Sequence, residues 1–146
     1  MPAGETETSV KLNLSASHVA ERQADAAAML RDLNAARART GLAPVRMDSD
    51  LCAIARSHAV DMVTRRYFGH NTPEGATPFD RMDKFGFKYG WAGENLALDV
   101  DQPSAHKLLW RSNDHRENML EPHFSRVGIV AVATERGEIF VEDFAD

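Results

Sequence analysis

Apolar residues recur at helical spacing in the first two-thirds of the chain and then collapse into short extended runs. From His18 to Thr40, Val19, Ala26, Ala27, Leu30 and Leu33 predict a first helix, with Gly41 as its stop. Asp48 or Ser49 can cap a second, in which Leu51, Ile54, Ala55, His58, Ala59, Met62 and Val63 follow an unbroken i, i+3, i+4 stripe. A short third helix is framed by Thr77 as cap, Pro78 in its first turn and Gly86 after its last, with Phe79, Met82 and Phe85 as the expected buried side. A fourth begins at Pro103 and buries Ala105, Leu108 and Leu109, with Trp110 expected to anchor that layer. Residues 1–16 are rich in Thr, Ser, Glu and Gly without a period and read as a loosely held arm ahead of a domain over 17–146.

Extended segments are expected at 94–100, 127–134 and 139–144. The last two are joined by Glu135, Arg136, Gly137 and Glu138 and read as an antiparallel hairpin. Val127, Ile129 and Ala131 point one way while Val130 and Val132 point the other, so both faces of this strand are covered. Helices before and between such strands imply an α+β fold, a three-layer α-β-α sandwich around a mainly antiparallel sheet.

Composition narrows the partners. With 17 basic and 22 acidic residues the net charge is -5, which excludes a phosphate backbone as the expected partner. The basic runs Arg37 to Arg39 and Arg65-Arg66 sit at helix ends, where solvated cations suit the dipole. A lone Cys52 allows no internal disulfide, and it lies beside a buried stripe as a structural thiol. No apolar run approaches the ~20 residues that span a bilayer, so no transmembrane segment is expected. Met1 to Val10 contains no signal-peptide core.

Polar groups set among apolar ones mark the candidate chemistry. His70 projects from a turn fixed by Gly69 and Pro73 just past the second helix. Glu94 starts an otherwise apolar strand, where a carboxylate needs a partner or a ligand. The run from Trp110 to Leu120 gathers Asn113, Asp114, His115, Glu117 and Asn118. His58 reads as a satisfied core histidine, and His18, His106 and His123 as surface positions.

His70-Asn71-Thr72-Pro73, Gly93-Glu94-Asn95-Leu96-Ala97, Trp110 followed by His115-Arg116-Glu117-Asn118-Met119-Leu120, and Val127-Gly128-Ile129 with Phe140-Val141-Glu142-Asp143-Phe144 stand in order along the chain. Together they resemble the signature blocks of the CAP superfamily, which unites cysteine-rich secretory proteins, antigen 5 and pathogenesis-related proteins. The disulfide-free bacterial branch resembles this chain best. The resemblance implies secreted or extracytoplasmic placement and a central cleft lined by two His and two acidic residues. It assigns His70, Glu94 and His115 to that cleft, with Asn113 where the second acid belongs and Asp114 or Glu117 as substitutes. It also implies a divalent transition metal, zinc by preference, held by His70 and His115.

Three classes of function stay open for this domain, two of them through the cleft. It can bind a metal or a small or peptidic ligand and act by recognition, which is the leading expectation, with catalysis left open and disfavoured. It can be a zinc hydrolase with Glu94 as base, although the chain has no His-Glu-x-x-His and no Gly-x-Ser-x-Gly. Or the domain binds a lipid, a sterol or a protein through another surface.

Overall fold

Three of the helices begin where a side chain satisfies the first free N–H groups. Asp48 caps α2 (Ser49–Arg65) by accepting from the N–H groups of Asp50 and Leu51. Thr77 and Asp80 form a reciprocal capping box at α3 (Pro78–Phe85), and Asp101 caps α4 (Gln102–Arg111). The computed structural model describes residues 4–6 and 19–146, and adds β1 (Gly4–Thr6), β2 (Ala20–Glu21), α1 (Gln23–Arg39), β3 (Arg46–Met47), β4 (Ala92–Asp99), α5 (Asn113–Met119), β5 (Arg126–Thr134) and β6 (Gly137–Ala145). Within the expected arm, Gly4–Thr6 pair with β4. The rest of residues 1–16, and His18, lie outside the described residues.

The sheet runs β1-β4-β6-β5-β2, with every neighbour antiparallel, and short β3 joins β5 in parallel. The β5–β6 hairpin closes from Thr134 to Gly137, where Gly137 takes a φ of 133° and a Cβ would lie 2.4 Å from the Asp99 carbonyl oxygen. Alternation then divides the core. Leu96, Leu98, Val130, Val132, Ile139 and Val141 pack on Ala55, Ala59, Met62 and Val63 of α2. Val127, Ile129, Ala131, Phe140 and Phe144 pack on Met29 and Leu33 of α1, Leu109 of α4 and Met119 of α5. The three-layer sandwich and the two-faced strand are as the pattern predicts. At Gly128 the backbone of α2 comes so close that a Cβ would lie 2.2 Å from the Leu51 carbonyl carbon.

Several expectations are corrected. Arg37 is not a solvated helix end: it is 1% exposed and donates to the carbonyls of Ala43, Met119, Glu121 and Phe124, binding α1 to the turn after α5. Phe79 and Phe85 are 45% and 50% exposed, because the inner side of α3 is built on Pro78 and Met82 instead. Ala27 faces out, and α1 buries Ala26, Met29, Leu33 and Ala36. The run after Trp110 is a separate helix, α5, which starts beyond extended Ser112. Trp110 is half-buried against the α1 and α4 core, with Arg116 over its ring. His106 is half-buried rather than on the surface, and desolvation lowers its pKa.

Candidate functional site

Glu94 faces α2, on the same side of β4 as Leu96 and Leu98. Its carboxylate is buried and held at both oxygens: His70 Nδ1 lies 2.9 Å from Oε1, and Arg81 Nη2 donates to Oε2 at 2.8 Å. A second Arg81 nitrogen donates to the His70 carbonyl at 2.7 Å, so one guanidinium fixes both the loop and the strand. Burial alone would raise the Glu94 pKa, but the hydrogen bond from His70, the neighbouring Asp143 carboxyl and the Arg81 charge outweigh it and hold the carboxyl below its usual range.

Arg81 and His58 lie along a groove of about 780 Å³ between α2 and α3. Ala53, Ile54 and Val60 form its α2 wall, and Ala76 and Phe85 its opposite wall. His58 Nε2–H donates to the Gly69 carbonyl at 2.8 Å, and burial lowers its pKa, so the ring stays neutral. At the mouth, Arg65 pairs with Asp61 and reaches across to Glu74 at 2.6 Å, tying the end of α2 to the loop after His70. Tyr67 donates to Asp61 from the inside.

His115 reaches β4 from the opposite layer. Its Nδ1 lies 2.7 Å from Ser112 Oγ, and its carbonyl accepts from Asn95 Nδ2 at 3.0 Å. The same Asn95 nitrogen donates to Glu142 at 3.1 Å, while Asn118 donates to Asn95 Oδ1 at 2.9 Å. Glu142 is fully buried with this one donor among the described residues, and burial pushes its pKa up to about 7 against the opposing effect of Asn95.

His70 and Glu94 are thus in direct contact, whereas Asn113 and Glu117 are exposed on α5 and line a separate depression of about 390 Å³ with Arg116, Leu120 and Glu121. Among the described residues, no group of three or more His, Cys, Asp or Glu is disposed to hold a metal ion. Sequence reasoning missed Arg81. The available signal was a buried carboxylate in need of a cation, with Arg81 next to the inward-facing Met82.

An α-β-α sandwich with a His-Glu pair beside β4 defines the class of fold and site. The chain belongs to the cysteine-rich secretory protein family, whose model matches residues 30–144. YkwD of Bacillus subtilis (strain 168) is 38% identical over 112 residues, which cover 76% of this chain and 43% of that protein. An extracellular protein containing an SCP domain from Bacillus anthracis str. Ames superposes with a TM-score of 0.74 at 26% identity, covering 84% of this chain and 40% of that one. An outer surface protein of Borrelia burgdorferi shares the fold at a TM-score of 0.82 and 21% identity, over 88% of this chain and 97% of its own. The chain therefore spans less than half the length of the first two. Among the described residues, no helix is long and apolar enough to cross a membrane.

Proposed function

We propose that the chain is an extracytoplasmic recognition domain that takes a small or peptidic ligand in the groove between α2 and α3. The observation that carries this reading is the groove itself, about 780 Å³ with Arg81 along its lining. Ligand sites commonly measure roughly 300–1,000 Å³, with apolar walls and a few convergent polar groups. Here the polar groups are His58, Arg81 and the Arg65–Glu74 strap, and Arg81 links the groove to Glu94 and His70. Placement outside the cytoplasm is supported by the relatives described as extracellular and outer-surface proteins. Ligand-observed NMR with a pool of synthetic tripeptides tests the reading. Ser57→Trp, placed on the exposed α2 rim, is expected to fill the groove and abolish the transfer signal. No binding to wild type, or equal binding to the variant, overturns it.

A zinc ion at His70 and His115 is the second reading, favoured by one contact. A carboxylate against an imidazole nitrogen, as Glu94 stands to His70, is how metal-binding histidines are often oriented. The donor set falls short of a tightly held ion, because Glu94 is committed to Arg81 and catalytic zinc usually has three protein ligands. Zinc titration by calorimetry separates the cases: equal heats for wild type and the His70→Ala, His115→Ala double variant remove zinc from this site.

A further inference from the structure

Asp143 lies on β6, the middle strand of the sheet, fully buried and directly opposite Glu94 in the ladder. No N–H donor among the described residues reaches either of its carboxyl oxygens. Residues opposite each other in an antiparallel ladder share a face, so the buried carboxyls of Asp143 and Glu94 are neighbours. Ionised carboxylates only accept, so a hydrogen bond between two carboxyls requires one proton.

The surroundings decide where that proton sits. Glu94 receives His70 and Arg81, which favour its charged form. The charged and titratable groups facing the pair are Arg81 from α3, His70 from the loop after α2, and His58 and Cys52 from α2. On the remaining side β5 sets uncharged Gly128 opposite Asp143. Among the described residues both nitrogen donors go to Glu94 and none to Asp143, so Glu94 is the member of the pair that keeps the charge. Burial first, and then the Glu94 charge, push the Asp143 carboxyl well above the usual carboxylate range.

We propose that Asp143 is a positioning residue of this site, a neutral acid that donates its proton to Glu94 and fixes that carboxylate against His70 and Arg81. The site then holds four groups from four elements: the loop, α3, β4 and β6. Asp143 sets the geometry of the others without facing the groove, and its role does not depend on which ligand the groove takes.

Carbon-detected NMR of the side-chain carboxyls in the full chain tests the proposal. At about pH 5.5, above the ordinary aspartate value near about 4, the Asp143 carbon is expected at the protonated position and the Glu94 carbon at the ionised one. Titration of Asp143 in the ordinary range overturns the proposal. Asp143→Asn keeps an N–H donor toward Glu94 and is expected to preserve the His70 ring-nitrogen shifts, whereas Asp143→Ala is expected to move them. If both variants move them equally, the donor role is wrong. If neither variant folds, the wild-type carboxyl shifts decide alone. No groove ligand enters these readouts, so their failure leaves the recognition reading standing, and failure of tripeptide binding leaves Asp143 standing.

Discussion

The two faces of the central sheet carry neighbouring rungs of one ladder and put them to different uses. On the α2 face Glu94 stands opposite Asp143, and on the α5 face the next rung sets Asn95 opposite Glu142. The first rung meets a cation, a half-buried histidine and, through Arg81, a groove. The second meets the Asn118 amide and the His115 carbonyl, packed beside the apolar side chains of α1, α4 and α5. A buried acid is therefore not in itself a mark of function. The cation beside Glu94 keeps it charged, whereas Glu142 with a single amide donor is held as an acid up to about pH 7.

The largest effect is expected on the α2 face. Arg81→Met leaves the Glu94 charge buried without its cation and should cost about 3–5 kcal/mol by denaturant melt. A loss below about 1 kcal/mol would place the pair with surface salt bridges and erase the contrast. Next comes Gly128→Ala, whose Cβ would meet the α2 backbone at 2.2 Å and push that helix off the site. Overpacking of this kind costs about 1–3 kcal/mol, and an unchanged melt would mean that α2 is free to shift.

On the α5 face, Glu142→Gln keeps the oxygen that accepts from Asn95 and should change stability at acid pH by less than about 1 kcal/mol. Its effect lies in pH dependence. The Glu142 carboxyl is raised from 4.5 to about 7 in the folded protein. Its contribution is fully present below the lower value. Between the two values the unfolded chain is ionised while the folded chain keeps its proton, so stability falls as pH rises, by up to about 1.4 kcal/mol per unit. Glu142→Gln should flatten that window relative to wild type, and parallel curves would show that Glu142 is ionised when folded.

Much of this was legible in the chain. The unbroken stripe of α2 and the two covered faces of β5 follow directly from periodicity, and the blocks around His70 and Glu94 marked the pair that meets. Arg81 was not legible, because an eight-residue helix with apolar Phe79, Met82 and Phe85 does not reveal which side turns inward. Arg37 looked like a solvated end, since the carbonyls that hold it come from residues 82 to 87 positions away as well as from nearby Ala43. Asp143 had one signal: two consecutive acids, Glu142 and Asp143, inside a strand covered on both faces must both be buried. Helix α5 had none, for Asn113–Met119 contains a single apolar residue at its end.

The smallest effects are expected at Asn113→Asp and Glu117→Gln, which lie on the exposed side of α5. Each should alter stability by less than about 0.5 kcal/mol and leave tripeptide binding unchanged, and a lost signal would move the working surface to α5.

The central claim is that ligand contacts belong to the α2–α3 groove. Backbone amide shift mapping with the best-binding tripeptide of the pool tests it most directly. Shifts are predicted at Ser57, Thr64, Thr72, Ala76 and Arg81, all lining the groove, with Asn113, Glu117 and Leu120 unmoved. Shifts confined to Asn113, Glu117 and Leu120, with the groove silent, would contradict it.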